Sequence, residues 1–184
     1  MKKSLKKKFR KAKSVINLQV APNIPAVETQ VAAKAVFFDD FGRVLLIRER
    51  SDGSGTGTNP GLWDVPGGTV RSDESISLAL ERECIEEIGD DCMLMFDLDT
   101  DIGQIVLPSP LVMQKDPRKT RLYFPIMMKA DGFKVSPGSD FDDWAFVGIE
   151  SILDNSYKTV PNLTDVIVKL LLMKFSVKAA RRLN

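Results

Sequence analysis

Residues Pro66–Asp90, PGGTVRSDESISLALERECIEEIGD, decide how this chain is read. A proline and two glycines make a turn, and a run of good helix formers follows it. Asp73 or Ser72 is placed to cap the helix start by accepting from an unpaired backbone N–H. Gly89 suits the other end, where left-handed backbone is open to a residue without Cβ. The spacing predicts about four helical turns between them. At about 100° per residue, Ile76, Ala79, Leu80, Glu83, Glu86 and Glu87 share one broad stripe, apolar at its start and acidic at its end. The apolar half is expected to anchor in the core and to carry the acidic half to the rim of a buried surface.

Three neighbouring glutamates repel one another, and acids near a helix C-terminus oppose its dipole. A divalent cation among them removes both penalties. Carboxylate oxygens are hard donors of the kind Mg²⁺ and Mn²⁺ prefer, and such a metal bridges phosphate oxygens and activates a bound water. The plain alternative is a solvated acidic helix face.

The spacing separates the two. Gly68 is followed after five residues by Glu74, then after seven by Arg82-Glu83, after two by Glu86-Glu87, and after one by Gly89. This resembles the Nudix box, a 23-residue motif, at all seven of its fixed charged and glycine positions. The run GLWDVPGG before it looks like the usual lead-in, and the resemblance extends, less specifically, from about Val31 to Leu172. Two positions depart: Cys84 and Asp90 stand where the family favours aliphatic residues.

The resemblance implies an α/β fold, the Nudix α/β/α sandwich with a mixed β-sheet between helices. It implies hydrolysis of a nucleoside diphosphate linked to another group, with Mg²⁺ or Mn²⁺ as cofactor. Glu83, Glu86 and Glu87 would be the metal ligands, helped by the backbone carbonyl of Gly67 or Gly68. Glu83, Arg82 and Glu86 would be catalytic. Glu83 would orient or deprotonate the attacking water, and Arg82, paired with Glu74, would position Glu83. A homodimer is likewise implied by resemblance alone.

Composition narrows the chemistry. Histidine is absent, which excludes a Ser-His-Asp triad, a Cys-His pair and any histidine-metal site. Acid–base work then falls to carboxylates, lysines, tyrosines or metal-bound water. Cys84 and Cys92 form neither a disulfide framework nor a zinc pattern, and suit a reducing, cytoplasmic setting. There is no transmembrane-length apolar run. The net charge of +1 hides an asymmetry: eight of the 26 Lys/Arg and none of the 25 acids lie in residues 1–13.

The chain therefore divides into a basic arm and linker over residues 1–28 and one domain over residues 29–184. The arm, MKKSLKKKFRKAKS, offers a basic face to nucleic acid, an anionic surface or a partner, or serves as a solvated, unstructured tail. It also loosely resembles a mitochondrial presequence.

Gln30–Phe38 reads as a buried strand, Asp39–Gly42 as a hairpin turn and Arg43–Arg50 as the partner strand. Arg48 and Arg50 fall on one face at its end, where the resemblance expects arginine near substrate phosphates. Ser51–Gly61 is a polar loop suited to a lid or to recognition, and Leu62–Val65 a short strand. Met93–Leu98 and Gln104–Met113 read as strands around an acidic turn at Asp97–Gly103. Arg121–Lys129 is a further strand, its Pro125 marking an edge or bulge. Tyr123 and Phe124 are candidates for stacking on a base, with core packing as the alternative.

A further metal-facing acid is expected at Asp140, Asp142 or Asp143, and spacing does not choose among them. Ala145–Gly148 reads as a strand, Ile149–Leu153 as a short helix, and the segment from Pro161 as a helix covering the second sheet face. Among substrates, nucleoside triphosphates, oxidised ones included, come first. ADP-ribose follows, because Pro108 and Pro110 lie near a marker proline of sugar-nucleotide hydrolases. An RNA 5′ end is third, motivated by the arm. A nucleotide-sensing module of the same fold is the non-enzymatic alternative.

Overall fold

The computed structural model describes residues 29–52, 54–55, 57–95, 111–116, 118–128 and 134–182. The basic arm, the Asp97–Gly103 turn, Pro108 and Pro110 lie outside them.

Six strands form one mixed sheet: β1 (Gln30–Phe38), β2 (Val44–Glu49), β3 (Trp63–Asp64), β4 (Leu111–Asp116), β5 (Lys119–Met127) and β6 (Phe141–Val147). β1 runs parallel to β5 over its whole length, from Gln30↔Lys119 to Phe38↔Met127. All other pairs are antiparallel. β1 and β2 are joined by the expected hairpin, in which the Asp39 carboxylate accepts from the backbone of Phe41 and Arg43 and pairs with Arg43 Nε at 2.7 Å. Past that turn the two strands diverge. β2 pairs with β3, while β1 accepts the segment just after it: Ala35 N–H donates to Pro66 O, Ala33 N–H to Gly68 O, and Val70 N–H to Val31 O. The glycine turn is thus a wedge between two central strands.

Alternation along β1 sorts the core into two layers. Ala33, Ala35 and Phe37 pack with Leu80, Cys84 and Ile88 of helix α1 (Ile76–Ile88). Val36 and Phe38 face the other way, onto Leu163, Val166, Ile167 and Leu170 of helix α3 (Leu163–Arg182), with Ile152 of helix α2 (Ile149–Leu153). The result is the expected sandwich, a mixed sheet between helices.

Some boundaries differ from expectation. The N-cap of α1 is Ser75, whose hydroxyl accepts from Leu78 N–H at 3.2 Å, not Asp73 or Ser72. The helix starts late because Glu74 is held in the preceding turn by Arg71 N–H. Its buried stripe is Ala79, Leu80, Cys84 and Ile88, whereas Ile76 is exposed. Cys84 thus fills an aliphatic position as a small core residue. Asp90–Met95 is a 3₁₀ helix where a strand from Met93 was expected; two aspartates at its start favour a helical first turn. Pro125 lies within β5 opposite Val36 of β1, and β5 is an inner strand between β1 and β4, not the expected edge. Among the described residues no helix is long and apolar enough to cross a membrane.

Candidate active site

The site is built where α1 meets the glycine wedge. Gly67 has φ +124°, and a Cβ there would lie 2.2 Å from Ala33 O, so only glycine lets the turn press against β1. The wedge also sorts its carbonyls. Those of Pro66 and Gly68 accept from β1, whereas Gly67 turns its N–H to Glu87 Oε2 at 2.6 Å. Of the two expected carbonyl donors, Gly67 is the one free of sheet hydrogen bonds among the described residues. Gly68 lies against Glu83, whose carboxylate would be 2.5 Å from a Cβ at that position.

Arg82 organises the acids. Its Nε and Nη2 grip both oxygens of Glu74, at 3.0 and 2.7 Å, in a bidentate pair. Nη2 also donates to Thr69 O, and Nη1 holds Glu83 Oε1 at 2.7 Å and Glu86 Oε2 at 3.4 Å. The guanidinium therefore ties the turn, the cap region and the acidic end of the helix together. Hydrogen bonds from Arg82, then from Arg71 N–H, pull the Glu74 carboxyl down to about 2. Burial pushes Glu87 the opposite way, up to about 8, against the pull of Lys34 and of Gly67 N–H.

Glu83, Glu86 and Glu87 line one cavity of about 360 Å³ together with Gly138, Ser139, Asp140 and Phe141. The strand-leading segment reaches them by crossing the end of α1: Ser136 N–H donates to Ile88 O and Gly138 N–H to Glu87 O. Gly138 permits this approach, because a Cβ would meet Glu86 O at 2.2 Å. Of the three candidate loop acids, Asp140 shares the glutamates' cavity. Asp142 instead pairs with Arg48 Nε at 2.7 Å and accepts from Ser51, and Asp143 lies 3.5 Å from Arg48.

Among the described residues, no three acidic side chains converge tightly enough to grip an ion as they stand. The donor set nevertheless fits a divalent metal, since each glutamate keeps one oxygen clear of Arg82 and Gly67.

The expected substrate residues are placed differently. Arg48 is engaged by Asp142 and stacks over Trp63 at 5.5 Å, and Arg50 pairs with Asp52 at 2.7 Å. Neither lines the carboxylate cavity. Tyr123 and Phe124 are 3% and 5% exposed, one in each core layer, so packing accounts for both rings. Sequence reasoning missed Lys34, Asp64 and Gly138. The signal for the first was in view: a lysine in the apolar strand QVAAKAVFF.

The NUDIX domain profile matches residues 28–167. This chain belongs to the Nudix hydrolase family. Solved structures agree on the fold. A MutT protein from Methanosarcina mazei Go1 superposes with a TM-score of 0.56 at 20% identity, covering 82% of this chain and 98% of that one. A bifunctional NMN adenylyltransferase/ADP ribose pyrophosphatase from Francisella tularensis gives 0.59 at 15% identity over 92% of this chain and 45% of its own. A C. elegans Ap4A hydrolase gives 0.55 at 16% identity, over 79% and 98%. None of the curated protein sequences compared with this chain matches it.

Proposed function

We propose that this Nudix hydrolase is a Mg²⁺- or Mn²⁺-dependent pyrophosphohydrolase that cleaves a nucleoside diphosphate linked to a further group. The observation that carries the reading is the Arg82 clamp, which holds Glu83 against Gly68 and on the same cavity wall as Glu86, Glu87 and Asp140. A bound divalent cation supplies Lewis acidity to the diphosphate and a more acidic water. The chain supplies position: Arg82 takes one oxygen of Glu83, leaving the other to orient a water or accept its proton, while Gly67 N–H holds one oxygen of Glu87 at the same turn. Nucleoside triphosphates, oxidised ones included, are the first substrates to test, followed by ADP-ribose and RNA 5′ ends.

The test is turnover of canonical and oxidised nucleoside triphosphates, ADP-ribose, dinucleoside polyphosphates and 5′-triphosphorylated RNA, with products identified by mass. Glu86→Gln is expected to lower kcat/KM by about 10²-fold or more on the best substrate. Tight binding of one nucleotide by both proteins, with no turnover by either, would replace the hydrolase by a sensor.

A further inference from the structure

Gly68 also borders a second cavity, of about 160 Å³, lined by residues of β1, β2, β3 and β5 and the wedge where β1 and β2 diverge. Its β1 wall is the row Gln30, Ala32 and Lys34, the continuation of Val36 and Phe38. Val36 and Phe38, in the layer that α3 covers, are apolar, and beyond them Lys34 and Gln30 bring polar groups to the row. Lys34 and Asp64 lie in this wall as an ion pair of 2.9 Å, with side chains 14% and 13% exposed. As a brace such a pair is inefficient, because removing two charges from water offsets most of their attraction. As a recognition element it retains unused capacity. The ammonium spends one donor on Val65 O, at 3.2 Å, and one on Asp64 Oδ2, so one of its three has no partner among the described residues. Asp64 Oδ1 accepts from Val65 N–H at 2.8 Å, and both oxygens keep a lone pair.

A spare cationic donor beside spare anionic lone pairs suits adjacent hydroxyl groups, each of which accepts and donates. A flat base is served less well: no aromatic ring is found among the described lining residues, so stacking has no platform there. Lys119, Arg121 and Glu49 also line the cavity, so that with Lys34 and Asp64 three cations meet two carboxylates, an excess of one positive charge suited to a phosphate on the same sugar. We propose that the Lys34–Asp64 pair reads the vicinal hydroxyls of a substrate ribose, and so makes ribonucleotides preferred over their deoxy counterparts.

The kinetic test rests on the hydrolase reading. The best nucleotide is compared with its 2′-deoxy and 2′,3′-dideoxy forms in wild type, Lys34→Met, Asp64→Asn and Lys34→Arg. A site that hydrogen-bonds a hydroxyl discriminates strongly against its loss, so wild type is expected to favour the ribo form by about 10²-fold or more in kcat/KM. In Lys34→Met and Asp64→Asn that ratio is expected to fall to within about threefold, and Lys34→Arg to restore part of it. A pair that only braces β1 against the wedge would lower both substrates alike and leave the ratio unchanged, which overturns the proposal. So does a wild-type ratio near one. Should wild type turn over no nucleotide, the hydrolase reading fails by itself. Calorimetric binding of the ribo and dideoxy forms, read as the same ratio, then decides the role of Lys34. Asp64→Asn, which keeps the shape but turns one acceptor oxygen into a donor, serves if Lys34→Met does not fold.

Discussion

A methyl group added at Gly67 meets the backbone of β1, whereas one added next door at Gly68 meets the end of a flexible side chain. The neighbours should therefore fail in different ways. Gly67→Ala forces a residue with a Cβ into φ +124° and against Ala33 O, with nothing able to move aside. We expect a loss of about 1–3 kcal/mol, the usual cost of one strained backbone conformation. For a chain of this size that is a melting temperature lower by roughly 2–10 °C. Gly68→Ala displaces only the Glu83 carboxylate from its seat beneath Arg82. Its melting temperature should stay within about 2 °C of wild type, while kcat/KM falls by about 10²-fold, the scale of a misplaced catalytic group. Thermal melts paired with steady-state kinetics separate the two, and equal activity loss without destabilisation in both would contradict the geometry.

At the scale of elements, α1 is oriented by the Glu74–Arg82 clamp, which joins the turn before the helix to its second turn. Glu74 is depressed to about 2 when folded, against 4.5 in its ordinary state, chiefly by hydrogen bonds from Arg82. A depressed carboxylate contributes stability that is fully present above its unfolded pKa and is lost as pH falls through the folded one. Wild type should accordingly exceed Glu74→Gln in stability at neutral pH, with the gap closing between pH 4.5 and about 2. Urea unfolding of both proteins across that range measures it; a gap independent of pH would assign the clamp's effect to shape and not to charge.

The clamp was legible in the sequence because Glu74 and Arg82 belong to one short motif with fixed spacing. So were the strand Gln30–Phe38, the hairpin after it and α3, whose periodicities are long and unbroken. Lys34, Asp64, Gly138 and the choice of Asp140 were not. Each acquires its role from a segment distant along the chain, through β1 meeting the wedge or the end of α1 meeting the Ser136–Phe141 segment, and local pattern carries no trace of such meetings. The partners of the arginines were illegible for a related reason: alternation gives the face of Arg48 but not the aspartate that arrives there from β6.

On the scale of the whole molecule, charge is divided more sharply than its near-neutral sum suggests. With eight basic residues in positions 1–13, the remaining 18 Lys/Arg face all 25 acids, a body of −7. Such a body repels polyanions on the whole, so affinity for RNA, other than capture of a 5′ end at the carboxylate site, is expected to come through residues 1–14. That affinity would be electrostatic and released by salt: on a single strand, six to eight phosphate contacts lose roughly 300- to 2,000-fold in affinity between 50 and 200 mM salt. Full-length protein should then bind single-stranded RNA with that steep dependence, and protein lacking residues 1–14 should not bind at either salt. Turnover at the proposed site of the wedge and α1, assayed on mononucleotides, should change by less than about twofold on the same deletion, since the arm's long-range field is screened. Salt titrations of fluorescent RNA with the two proteins decide the matter. A shallow slope, or binding that survives the deletion, would move the RNA contact onto the folded body and leave the arm to another partner.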